Sequence, residues 1–152
     1  LLIDPHGLRV PIAILFAVAS VTDYLDGYLA RRWSVVSQLG IFMDLAADKL
    51  LVATVLIVLV GNGAAPSWMV AVIIGREFIV SGLRSYAAAK GMVISASPLG
   101  KWKTTITLIA LIMTILGVDS TLDLWALGVA TAITFVSGVD YMVRYWQAEL
   151  KR

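Results

Sequence analysis

Five apolar stretches, at residues 10–28, 39–60, 68–89, 99–117 and 122–145, restrict the fold more than any other feature of this chain. Each has about the 20 mostly apolar residues that a helix needs to cross a hydrocarbon core. Backbone donors and acceptors in lipid must be satisfied within their own segment, so such stretches are expected to be α-helices. The breaks between them, at 30–38, 61–67, 90–98 and 118–121 with Asp123 just beyond, are polar or contain Gly and Pro. The expected architecture is an all-α, polytopic membrane helical bundle, one domain over residues 1–152, with five transmembrane helices. The composition agrees, with 60% apolar residues, 14% charged residues and a mean hydropathy of +0.90.

The tryptophans and the basic residues mark the membrane boundaries. Trp33, Trp68, Trp102, Trp125 and Trp146 lie in breaks or within a few residues of a span's end, where indole rings favour the interface. Arg31 and Arg32 follow the first span, Lys90, Lys101 and Lys103 flank the third break, and Lys151 and Arg152 close the chain. The breaks at 61–67 and 118–121 carry no basic residue. By the positive-inside bias, the first break, the third break and the C-terminus are cytoplasmic. The chain then starts outside and without methionine, which leads us to expect a sixth, N-terminal helix ahead of it. Residues 1–9 lack the order of a signal peptide. Cysteine is absent, which excludes disulfides and thiol catalysis, and a net charge of +2 is too small to imply a nucleic-acid partner.

Against this apolar background stand four carboxylates, spaced Asp23-x2-Asp26-Gly27-x2-Ala30-Arg31-x8-Gly40-x3-Asp44-x3-Asp48. An ionisable group at membrane depth is costly and therefore a functional hypothesis by default. Four neighbouring carboxylates repel one another and stay ionised only with cations. On a helix, Asp23 to Arg31 occupy an arc of about 140°, and Gly40, Asp44 and Asp48 form a second stripe at i, i+4, i+8. A site between two consecutive helices follows. Carboxylates without a nearby His or Cys favour Mg²⁺ or Mn²⁺ over zinc. Gly27 and Gly40 permit close approach of a bulky ligand to the backbone, and Arg31 is long enough to reach a phosphate on the same face. Read singly, each of these groups could equally be solvated or paired at a helix end.

The pattern resembles the signature of the CDP-alcohol phosphotransferases, membrane enzymes of phospholipid synthesis. The resemblance implies that Asp23, Asp26 and Asp44 ligate two divalent ions, and that Asp48 is the general base and completes the metal site. Asp26, Gly27, Ala30, Arg31 and Gly40 would hold the CDP-lipid. The segments 75–84 (GREFIVSGLR) and 100–105 (GKWKTT) are similar to the phosphatidylglycerophosphate synthase branch of the family. That similarity implies transfer of a phosphatidyl group from CDP-diacylglycerol to sn-glycerol 3-phosphate, with release of CMP. Members of that branch begin with an additional helix bearing ligand-contacting residues.

Arg76 and Arg84, i and i+8, lie about 80° apart on one helix, and Lys101 opens the next span. Glu77 does not balance these cations, so an anionic substrate group is expected there, and the family similarity suggests the acceptor's phosphate. Lys103 and Lys90 are read instead as snorkelling toward headgroups, His6 as a solvated loop residue, and Asp119 and Asp123 as ordinary outer-face acids. Asp140 and Arg144 should pair at i, i+4. Gly128, Ser137 and Gly138 would let helices approach closely, with a homodimer as one outcome.

Other acceptors, phosphatidylglycerol or an inositol phosphate, fit the same chemistry. A divalent-cation transporter would also place carboxylates in the membrane, but such proteins often carry repeated halves around a midplane site, and no repeat is visible here. A non-catalytic scaffold leaves the carboxylates unexplained.

Overall fold

The computed structural model describes residues 9–32, 38–92 and 98–150; within these, the side chains at 23, 24, 26–32, 38–45, 48, 98, 99 and 101 lie outside the described set. The described residues form five α-helices: α1 (Arg9–Arg32), α2 (Gln38–Gly61), α3 (Ser67–Ala89), α4 (Pro98–Leu116) and α5 (Ser120–Leu150). The all-α expectation holds. Among the described residues, one helix, α5, is long and apolar enough to cross a membrane by length and composition.

The helix ends have local causes. Beyond α3, Gly91 takes a φ of 71°, and its N–H bonds Ala88 O at 2.9 Å while that of Met92 bonds Ala87 O at 2.9 Å. This pair is the Schellman closure, which places glycine in the left-handed region. At the other end of the molecule, Asp119 caps α5: its Oδ1 accepts from the Thr121 and Leu122 N–H groups at 2.8 and 3.0 Å, satisfying two otherwise orphaned donors. The cap starts α5 two residues before the apolar run, and α5 continues past Tyr145; one turn earlier, Asp140 accepts from Arg144 Nε at 3.0 and 3.1 Å. That pair is the one read from the sequence.

Helix α5 packs against α3 and α4, α4 also meets α1 and α2, and α2 meets α1 and α3. Ala13 and Phe16 of α1, Leu56 and Leu59 of α2, Ile73 of α3, Leu111 and Ile115 of α4 and Leu127 of α5 form one buried core. The outward surface is apolar too: Leu15, Phe78, Ile79, Phe135 and Val136 are all at least half exposed. Trp68, Trp102, Trp125 and Trp146 are likewise exposed near helix ends. Trp33 lies outside the described residues.

Small residues let α3 and α5 approach closely within this chain. A Cβ on Gly138 would stand 2.9 Å from Arg76 Cγ, and one on Gly128 would touch the Met69 methyl at 3.8 Å. Ser137 is buried beside them and bonds Arg76. The two lysines read as snorkelling behave differently. Lys90, in the break after α3, donates to Glu149 at 2.8 Å and lies 4.6 Å from the Tyr86 ring centre. The hydrogen bond to Glu149, and then Tyr86, hold its ammonium above the usual lysine range. Lys103 is buried, a correction to the sequence reading: it points inward to a carboxylate rather than outward to headgroups. Asp123, read as an ordinary outer-face acid, is buried, at 6% exposure.

Candidate active site

The signature spans two consecutive helices that pack on each other. Asp23, Asp26, Gly27, Ala30 and Arg31 belong to the last turns of α1, and Gly40, Asp44 and Asp48 to the first half of α2. All eight side chains lie outside the described residues, as does that of Lys101, so only their helical placement is stated. Among the described residues there is no group of three or more metal-binding side chains.

One position beyond Asp48, the described side chains begin to form a site. Lys49 of α2 stands 3.5 Å from Glu77 Oε2. The other oxygen of Glu77 accepts from Lys103 Nζ of α4 and from Arg76 Nη1, the latter at 3.1 Å. A single carboxylate on α3 therefore joins cations from three helices, with side chains only 10–21% exposed. Charges this far from water persist when paired and hydrogen-bonded. Arg76 is held on its far side by α5, donating from Nη2 to Ser137 Oγ at 2.7 Å.

Glu77, Lys49 and Lys103 sit on the wall of a cavity of about 420 Å³ between α1, α2, α3 and α4. Ser20 and Thr107 add hydroxyls, while Leu56, Ile73 and Leu111 make the rest of the wall apolar. An apolar chamber with a few convergent polar groups is what a ligand site requires. Arg76 and Arg84 do not line it. Arg76 backs the cluster from the α5 side, and Arg84 is exposed, with its guanidinium carbon 5.7 Å from the Tyr141 ring centre. The cavity wall thus carries Lys49 and Lys103 rather than the two arginines. Sequence reasoning passed over Lys49; its position next to Asp48 was the available signal.

The sequence profile of the CDP-alcohol phosphatidyltransferase family matches residues 1–142. The chain belongs to that family. A Bacillus subtilis relative named CDP-diacylglycerol–glycerol-3-phosphate 3-phosphatidyltransferase is 46% identical over 142 residues, which are 90% of this chain and 74% of the relative. A relative of the same name from Rickettsia bellii is 38% identical over 136 residues, 85% of this chain and 75% of its own length. Another of that name, from Mycoplasma pneumoniae, is 46% identical over 100 residues, 66% of this chain and 44% of its own length. The matched range takes in the whole aspartate signature and the lysine–glutamate cluster.

Proposed function

We propose that this chain is the catalytic domain of a multi-pass membrane enzyme that transfers a phosphatidyl group from CDP-diacylglycerol to sn-glycerol 3-phosphate, giving phosphatidylglycerophosphate and CMP. The observation that carries the reading is the full aspartate signature on adjoining helices, in a chain 46% identical to a relative of that name. The half-exposed apolar surface and the interfacial tryptophans support a bilayer environment. The basic residues after the first and third spans support a cytoplasmic position for the site's end of the bundle.

The donor set is four carboxylates without His or Cys, which suits Mg²⁺ or Mn²⁺. Asp23, Asp26 and Asp44 would hold two such ions, with Asp48 beside them. When bound, the ions supply neutralisation of the diphosphate and of the departing CMP.

The chain's own residues do the rest. Asp26, Gly27, Ala30, Arg31 and Gly40 receive the cytidine diphosphate, with Arg31 on a phosphate. Asp48 accepts the proton of the acceptor's primary hydroxyl as that oxygen attacks the β-phosphorus. The new P–O bond forms as the bond to the CMP oxygen breaks. Basic residues hold the acceptor's phosphate so that the hydroxyl stays close to the reacting phosphorus, the usual source of a high effective concentration. Arg76, Arg84 and Lys101 were the sequence's candidates for this task; Lys49 and Lys103 join them because they line the cavity.

The test is acceptor-dependent release of CMP from CDP-diacylglycerol by the purified full-length protein, comparing sn-glycerol 3-phosphate, phosphatidylglycerol and inositol phosphate. Release with glycerol 3-phosphate alone is expected. Release without any acceptor dependence would count against a transferase.

A further inference from the structure

Lys49, Arg76 and Lys103 bring three positive charges to one carboxylate, at depths where water screens poorly. Without Glu77, three cations from α2, α3 and α4 would repel one another across the helix interfaces. With it, the two lysines are fixed on the cavity wall and Arg76 is drawn behind them toward Ser137. The four groups still carry a surplus of positive charge, which a dianionic phosphate monoester in the cavity would neutralise. We propose that Glu77 is a positioning residue for the transfer reaction: its carboxylate holds the Lys49 and Lys103 ammonium groups as a pair facing the anionic head of the acceptor. This assignment rests on the transferase reading above.

The arrangement suits positioning better than it suits direct contact with substrate. A carboxylate repels a phosphate, so Glu77 serves binding only through the cations it orders. Both of its oxygens are engaged, one with Lys49 and the other with Lys103 and Arg76. Lys49 follows Asp48 in α2, so the same anchor also fixes the helical turn that carries the proposed base.

The experiment compares wild-type full-length protein with E77Q and E77D in the CMP-release assay. Alongside it, thermal unfolding is recorded with and without sn-glycerol 3-phosphate. Charge-assisted contacts held in place by Glu77 should be lost in E77Q, raising the KM for glycerol 3-phosphate by about tenfold or more, with the KM for CDP-diacylglycerol little changed. Protection by glycerol 3-phosphate against unfolding should shrink in step. E77D keeps the charge on a shorter arm and should recover part of the acceptor affinity. A lower acceptor KM in E77Q would make Glu77 a competitor of the phosphate and overturn the proposal. So would an unchanged acceptor KM, or an equal rise in both KM values. Should E77Q not fold, E77D carries the test, and acceptor kinetics equal to wild type overturn the proposal. Absence of glycerol 3-phosphate turnover in the wild type would instead sink the transferase reading itself, an outcome read separately from the variants.

Discussion

Asp48 and Asp26 belong to one carboxylate signature, yet the proposed mechanism separates what each should do when altered. Loss of a general base typically costs about 10²–10⁴ in rate, so Asp48→Asn should lower kcat by that factor while CDP-diacylglycerol binding persists. Single-turnover CMP release alongside equilibrium binding of the CDP-lipid measures both. Near-normal turnover would remove Asp48 from the role. Asp26→Ala should behave differently, because its carboxylate is assigned to the ions. Nucleotide-lipid binding that depends on Mg²⁺ or Mn²⁺ should disappear, as it should when the wild-type protein is treated with a chelator. The sequence singles these aspartates out by their joint spacing on two consecutive helices rather than one at a time, and their side chains lie outside the described residues. It made Lys103 illegible for the opposite reason. A lysine near a helix end reads as snorkelling on any single helix, and only its ion pair with Glu77 of α3 shows that its ammonium turns inward.

At the scale of the helices, periodicity and turn chemistry told most of the story. The breaks contained the glycines that follow α2 and α3, with positive φ at Gly63 and Gly91, while Gly117, the last residue of the fourth apolar stretch, does the same after α4. The apolar runs gave the helices to within a few residues, except where helix outlasts hydrophobicity, as at the ends of α1 and α5. What the pattern could not give was the partner of each face. Ser137 and Gly138 suggested close approach, and they meet α3 of the same chain because Arg76 lies across them. Gly138→Ala should therefore strain the α3–α5 contact, since the new Cβ would press on the base of the Arg76 side chain rather than its mobile tip. Overpacking of this kind costs about 1–3 kcal/mol. It should appear as a lower unfolding temperature in detergent; an unaltered temperature would mean that α5 shifts freely. Asp119→Ala removes the cap of α5 and should destabilise by about 1 kcal/mol, measured in the same way, with catalysis spared because the cap lies at the opposite end of α5 from the basic C-terminus.

For the whole molecule, the decisive arrangement is which ends of the helices share a side of the membrane. The carboxylate signature runs from the end of α1 into α2, and the cavity lysines come from α2 and α4, joined by Glu77 of α3. These groups can serve water-soluble and lipid substrates together only if the connections after α1 and α3 share one aqueous side, and the turn after α2 lies on the other. The absence of cysteine makes this directly measurable. Single cysteines placed at Asn62, exposed in the turn after α2, and at Gln147, exposed near the end of α5, report on opposite faces of the bundle. In intact cells a membrane-impermeant thiol reagent should label the Asn62→Cys protein and not the Gln147→Cys protein. In inverted membrane vesicles the pattern should reverse. Labelling of both positions from one side would break the alternation of spans. The substrates would then have no common aqueous face from which to reach Asp48, whatever the local geometry of Glu77 and its lysines.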